Sequence, residues 1–176
     1  CVANPPISIM CNSGQYANSS AFLPGEPVIL QVILGGGTLV ISRAQFRLQY
    51  DPSCIDFVSI QPGSFCDPGS HFEDEIGEAV DETSGLIDYA VRLPIGYEIN
   101  DGGTVACINF TKVDSCDSCQ TCFDRSSPLN NYLIGDSGDP VAIDFPNNGC
   151  GCLISSAPDL NFNGIKDSCD FDCGPP

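Results

Sequence analysis

Two apolar runs of strand length dominate the pattern between Pro24 and Gly63: Val28 to Leu34 (VILQVIL) and Val40 to Tyr50 (VISRAQFRLQY). Gly35-Gly36-Gly37 separates them and Asp51-Pro52-Ser53 closes the second, which reads as strand, turn, strand, turn. In the second run Ile41, Ala44 or Phe46, Leu48 and Tyr50 alternate with Ser42, Arg43, Arg47 and Gln49. The alternation slips at Ser42-Arg43, which predicts a bulge or a change of strand partner. Further strands are predicted at Ile7 to Met10, Cys54 to Ile60, Leu86 to Leu93 and Thr104 to Val113. Asn131 to Ile134 and Val141 to Phe145 read as a hairpin around the acidic turn Gly135 to Pro140. Asn12 to Ala21 reads as a polar loop, and Ser64 to Glu82 as an irregular, solvated section. That section holds Glu73, Asp74, Glu75, Glu78, Asp81 and Glu82, an acidic cluster whose sharper reading is a second cation site. His71 within it reads as a surface residue. No ten-residue stretch has a 3.6-residue period. The expected class is all-β, an antiparallel β-sandwich at residues 1–152, followed by a disulfide-rich C-terminal extension at 153–176.

Charge narrows the partners. Six Lys+Arg against 23 Asp+Glu give a net charge of −17, which disfavours nucleic acid and anionic membrane surfaces and favours cations. No apolar run approaches the roughly 20 residues that cross a bilayer as a helix. Twelve cysteines, Cys1, Cys11, Cys54, Cys66, Cys107, Cys116, Cys119, Cys122, Cys150, Cys152, Cys169 and Cys173, are spread over the whole chain. Cysteine at this density suits disulfides in an oxidising compartment, hence an extracellular or cell-surface location. The run Cys116-x2-Cys119-x2-Cys122 with Cys150-x-Cys152 would also suit zinc or an iron–sulfur cluster in a reducing setting, but the other cysteines favour disulfides. Their pairing does not follow from spacing. The chain opens at Cys1 without a charged or apolar leader, so any secretory signal is expected to have been removed. Asn18-Ser19-Ser20 and Asn109-Phe110-Thr111 fit the N-glycosylation triplet, and the strand alternation turns Asn109 away from the Ile108/Phe110 face.

One constellation has chemically specific spacing. Residues 159–170 run Asp-Leu-Asn-Phe-Asn-Gly-Ile-Lys-Asp-Ser-Cys-Asp. Calcium takes six to eight oxygens, and a twelve-residue loop supplies them from positions 1, 3, 5, 7, 9 and 12. Those positions are Asp159, Asn161, Asn163, Ile165 through its carbonyl, Asp167 and Asp170, with Gly164 at the sharp turn. Asp stands at position 12 in place of the longer Glu. Calcium is therefore the expected cofactor. Catalysis is not expected: there is no nucleophile elbow and no metal-ligating histidine pair, and His71 is the only imidazole.

Residues from about Pro24 to Val113 resemble the cohesin-type β-sandwich of bacterial extracellular proteins, a jelly roll related to carbohydrate-binding modules. The resemblance lies in Pro24-Gly25-Glu26-x-Val28, Gln45-Phe46-x-Leu48-x-Tyr50-Asp51-Pro52-Ser53, Gly85-x-Ile87-x-Tyr89-Ala90 and Gly103-x-Val105-Ala106-x-Ile108-x-Phe110. The loop at 159–170 is similar to one half of a dockerin and to thrombospondin type 3 repeats. These resemblances imply protein–protein adhesion, with the calcium loop stiffening a connection. A chain with complementary ends can polymerise head to tail, and a terminal strand such as Cys1 to Cys11 can be exchanged with a neighbour. The expected function is a non-enzymatic extracellular structural or adhesion subunit that self-associates into a filament or surface assembly. The alternatives are a receptor for another protein's docking module and a carbohydrate-binding module. The second lacks tryptophan for sugar stacking.

Overall fold

The computed structural model describes residues 4–11, 19–37, 40–95, 97–113, 118–127, 129–135, 138–141 and 143–156. Twelve strands occupy this range: β1 (Ile7–Cys11), β2 (Ser19–Phe22), β3 (Pro27–Gly35), β4 (Ile41–Gln49), β5 (Ile55–Pro62), β6 (Asp74–Asp81), β7 (Leu86–Arg92), β8 (Gly102–Lys112), β9 (Ser118–Phe123), β10 (Tyr132–Gly135), β11 (Pro140–Val141) and β12 (Cys150–Ser156). Helical structure among the described residues is confined to one short 3-10 turn, Gly63–Phe65, while Pro146–Gly149 is a turn in which Asn147 and Asn148 take left-handed backbone angles. The all-β sandwich is as expected.

One sheet has the order β1-β3-β8-β5, all antiparallel. The other runs β11-β10-β4-β9-β12-β2, with β7 on the far side of β4 and β6 at the outer edge beyond β7. Only β12 and β2 pair in parallel among the described strands. The period-2 pattern explains the layering. Val28, Leu30, Val32 and Leu34 of β3, with Ile108 and Phe110 of β8, meet Phe46 and Leu48 of β4 and Ile87, Tyr89 and Val91 of β7 in one buried core. Aromatic side chains lock the centre: Phe46 lies 5.6 Å from Tyr89 and 6.1 Å from Phe123, and Tyr50 lies 5.0 Å from Phe110, between ring centroids. Each such side chain, fully buried, contributes about 1.5–3 kcal/mol.

The slip at Ser42-Arg43 is a bulge. The pairing of β4 with β10 shifts between Ile134 and Gly135, which oppose Arg43 and Ile41, and the Ser42 hydroxyl donates to the carbonyls of both Ile134 and Gly135. Two loops expected from the sequence are in part strands. Ser19–Phe22 pairs with β12, and Asp74–Asp81, inside the section read as irregular, pairs along β7. The acidic cluster hid this second strand because its side chains are mostly exposed, so no apolar alternation marks it. An edge strand carrying charges and a bulge, here between Glu75 and Gly77, resists pairing with other chains.

Among the described residues four disulfides form. Cys11–Cys152 joins β1 to β12, Cys54–Cys119 joins the start of β5 to β9, Cys66–Cys107 ties the segment after β5 to β8, and Cys122–Cys150 links β9 to β12. The first two bridge the two sheets. β1 pairs with β3 and is tied through Cys11 to β12, which runs from Cys150 to Ser156. Cys1, Cys116, Cys169 and Cys173 lie outside the described residues.

Candidate functional site

The expected calcium ligands Asp159, Asn161, Asn163, Ile165, Asp167 and Asp170 lie outside the described residues, as does Asn18. Among the described residues no group of three or more His, Cys, Asp and Glu is arranged to hold a metal ion, the acidic stretch of β6 included. The structure instead sets two outward sheet faces against each other, and their chemistry differs.

On the β1-β3-β8-β5 sheet two outward positions are covered. Gln31 and Cys107 point away from the core yet are buried, because Cys66 lies over them: Cys66 is bonded to Cys107 and accepts a hydrogen bond from Gln31 Nε2 at 3.2 Å. Packing is so close beside this bridge that a Cβ on Gly63 would sit 1.8 Å from the Thr104 carbonyl oxygen. Asn109 is on the same face, half-buried, and donates to the Ser59 hydroxyl at 3.0 Å.

The outward face of β6-β7-β4-β10 is open and ordered in rows. Because strand partners share a face, the registers read straight across the sheet: Asp74, Arg92, Arg43, Ile134; then Gly77, Ala90, Gln45, Tyr132; then Ala79, Asp88, Arg47; then Asp81, Leu86, Gln49. Arg47 grips Asp88 through two parallel bonds, Nε to Oδ1 at 2.7 Å and Nη2 to Oδ2 at 2.8 Å, and approaches Asp124 at 3.9 Å. The bond to Asp88 is the main reason that the Arg47 pKa rises above its ordinary value. Asp124 also accepts from Ser126 and Asn130, and these bonds with the Arg47 charge hold its carboxyl below the usual aspartate range. In the second row the Tyr132 hydroxyl donates to Gln45 Oε1 at 2.6 Å. Gly77 and Ala90 carry little side chain, and they floor a hollow of about 350 Å³ between Gln45, Arg47, Glu78 and Asp88. A smaller hollow of about 90 Å³ follows between Arg43, Ile76, Ala90, Tyr132 and Ile134.

Three of the chain's six basic residues, Arg43, Arg47 and Arg92, thus stand on one face of a protein with a net charge of −17. Sequence reasoning did not single them out. The signal was present, since all three occupy the polar positions of two alternating strands in a chain with only three other basic residues. Such a face offers rigid hydrogen-bonding groups, paired charges and shallow hollows, which suits recognition of another molecule's surface.

Comparison with known proteins identifies the fold and the family. The family model described as "Cohesin domain" matches residues 17–124. No curated protein sequence matches the chain. Among solved structures, the second type II cohesin module from the cellulosomal adaptor ScaA scaffoldin of Acetivibrio cellulolyticus is similar, at 15% identity and a TM-score of 0.65, over 90% of this chain and 100% of that one. The sixth cohesin from scaffoldin B of the same organism, solved in complex with a dockerin, gives 21% identity and a TM-score of 0.61 over 88% of this chain and 99% of that one. A cohesin module from a Clostridium perfringens family 33 glycoside hydrolase gives 11% identity and a TM-score of 0.63, over 87% and 98%. At these identities the solved structures speak for the fold, and the family model, spanning more than half of the chain, speaks for descent: the chain belongs to the cohesin domain family.

Proposed function

We propose that this domain is a non-catalytic receptor that docks a segment of another protein on the outward face of β6-β7-β4-β10. The observation that carries the reading is the contrast between the faces. One is covered in part by the Cys66–Cys107 bridge and presents the Asn109 glycosylation triplet, while the other presents three arginines, a Tyr132–Gln45 pair and two neighbouring hollows. Similar folds have been solved with dockerins bound, which makes a calcium-loop module the first partner to try. The four disulfides suit work outside the cell, where such bonds persist.

The test is titration of the purified chain with a panel of dockerin modules by calorimetry, repeated with Arg47→Ala, Tyr132→Ala and, on the opposite sheet, Val58→Ala. Loss of binding in the first two variants with retention in the third is the expected result. Loss with Val58→Ala alone would move the site to the other face and overturn the reading.

Self-association is a special case of the same docking, in which the segment comes from residues 159–170 of a second copy. It is supported by the calcium-loop spacing there, whose proposed ligands are Asp159, Asn161, Asn163, Ile165, Asp167 and Asp170. Light scattering of the full chain, with calcium and with chelator, separates the two. Calcium-dependent growth in mass marks head-to-tail assembly, and an unchanging monomer leaves the partner as a different chain.

A further inference from the structure

We propose that Arg43 and Arg92 form a clamp for a carboxylate, and that the occupant is a protein segment carrying Asp or Glu beside a large apolar side chain. The proposal rests on the docking reading above and names the chemistry that the face selects. Arg43 on β4 and Arg92 on β7 are direct register partners, so their side chains leave the same face from Cβ atoms only about 5 Å apart. Like charges placed directly opposite destabilise a sheet. A chain with six basic residues has nevertheless set two of them against each other.

The repulsion is only half relieved within the domain. Arg92 Nε donates to Asp74 Oδ2 at 3.2 Å, which engages one edge of its guanidinium. Arg43 makes no ion pair among the described residues, and its neighbour on the other side is Ile134. Glu98 lines the same hollow but pairs with neither arginine. A guanidinium presents its donors as a planar fork that fits a carboxylate with two parallel bonds. One carboxylate entering between Arg43 and Arg92 would satisfy Arg43 and screen the two cations from each other.

The surroundings identify what comes with the acid. The hollow holds about 230 Å³ and is walled by Ser42, Pro94, Ile95 and Tyr97 beside the arginines. Ile95 is 88% exposed and Tyr97 56% exposed. The Tyr97 ring lies 5.7 Å from that of His71, tilted by 33°. An aliphatic wall next to a cationic fork matches a peptide side-chain pair better than an acidic polysaccharide. Charge complementarity points the same way, because the rest of this strongly acidic surface repels an acidic segment and leaves this corner as its place to land.

The experiment selects ligands from a displayed library of random peptides on the immobilised chain and measures the synthesised winners by calorimetry. Enrichment of Asp or Glu next to Leu, Ile or Phe is expected. Replacing that acid by its amide, or making Arg43→Ala or Arg92→Ala, should weaken binding about tenfold to a hundredfold, the range for losing a hydrogen bond to a charged group. Arg43→Glu should be rescued by a peptide with Lys in place of the acid. Selected peptides that respond to Tyr132→Ala but not to Arg43→Ala or Arg92→Ala would overturn the clamp and leave the docking face standing. Peptides indifferent to all of these variants, or no selected peptide at all, would overturn both. Preferential binding of oligogalacturonate through the same arginines would overturn the assignment to a protein partner.

Discussion

Replacing Gly77 by valine would separate docking from folding, because the proposed docking face gives this glycine a binding reason to be small, and its backbone gives it no conformational one. It sits in β6 opposite Ala90, without the left-handed backbone that would demand glycine, and a Cβ built on it meets only the Ala90 Cβ at 3.9 Å. Glycine inside a strand is unfavourable, and the measured strand-propensity scale spans about 1 kcal/mol. Gly77→Val should therefore leave stability unchanged or raise it by up to about 1 kcal/mol. For a domain of this size that is about 2–4 °C in Tm by calorimetry. The isopropyl group would occupy the floor of the 350 Å³ hollow between Gln45, Arg47 and Asp88. A partner side chain that fills this hollow would then meet an overpacked contact, for which about 1–3 kcal/mol is typical, or a loss of roughly fivefold to a hundredfold and more in affinity. Titration with a partner that binds wild type reads this directly. A variant with a raised Tm and wild-type affinity would show that nothing seats over Gly77, and the assignment of the docking face would fail. A variant with a lowered Tm would show that the edge strand needs glycine for folding.

Three further outcomes follow from the same structure. Cys11→Ser with Cys152→Ser opens a bridge of sequence separation 141, for which loop entropy gives up to about 5 kcal/mol, so Tm should fall by about 10 °C or more; a shift of only a degree or two would mean that the sheets hold together without it. Acid titration has a defined sign: Asp124, Asp51 and Asp81 are held below the ordinary aspartate range by hydrogen bonds, to Ser126, Ser53 and Ser84 respectively, so each stabilises the fold above that range and the gain is lost as pH falls through the lowered values. Urea midpoints measured against pH should drop on the acid side, and Asp124→Asn should flatten that drop. Calcium titration of the full chain by calorimetry should show binding that Asp159→Ala and Asp170→Ala abolish, and unaltered heats in those variants would place any calcium elsewhere.

The strands of the core were legible in the sequence because burial on one face writes a period of two. Val28 to Leu34 in β3, Ile87, Tyr89 and Val91 in β7, and Phe46 and Leu48 in β4 all fall where the alternation puts them. Even the bulge at Ser42 left its mark as a slip. β6 was illegible for the same reason: an edge strand with little buried side chain carries no alternation, and its acids look like a loop. The proposed docking face was half legible. The polar positions of β4 and β7 name Arg43, Arg47 and Arg92, but their grouping depends on β4 and β7 being neighbours in register, which no local pattern states.

The disulfide map shows most sharply what local pattern leaves out. In a regular strand Cys150 and Cys152 would point to the same face, and spacing alone would send them to one neighbourhood. They go to different sheets. Cys150 faces its register partner Cys122 on β9, whereas Cys152 is an extra residue in the pairing of β12 with β9, between Gly151 and Leu153. Its φ of 50° turns the chain, and it is fully buried against Cys11 of β1. Gly151 lets β1 approach closely, since a Cβ there would sit 2.0 Å from the Ile9 carbonyl oxygen. One glycine and one left-handed residue thus convert a Cys-x-Cys pair from a same-face motif into a junction, with one bond along the sheet and one across the sandwich. The two bridges hold β12, β9 and β1 together, and through β9 they brace the end of β4 that carries Leu48 and Gln49. That bracing lies under the Arg47 row, so the cross-links that suit an oxidising environment also stiffen the strand from which Arg43 and Arg47 project.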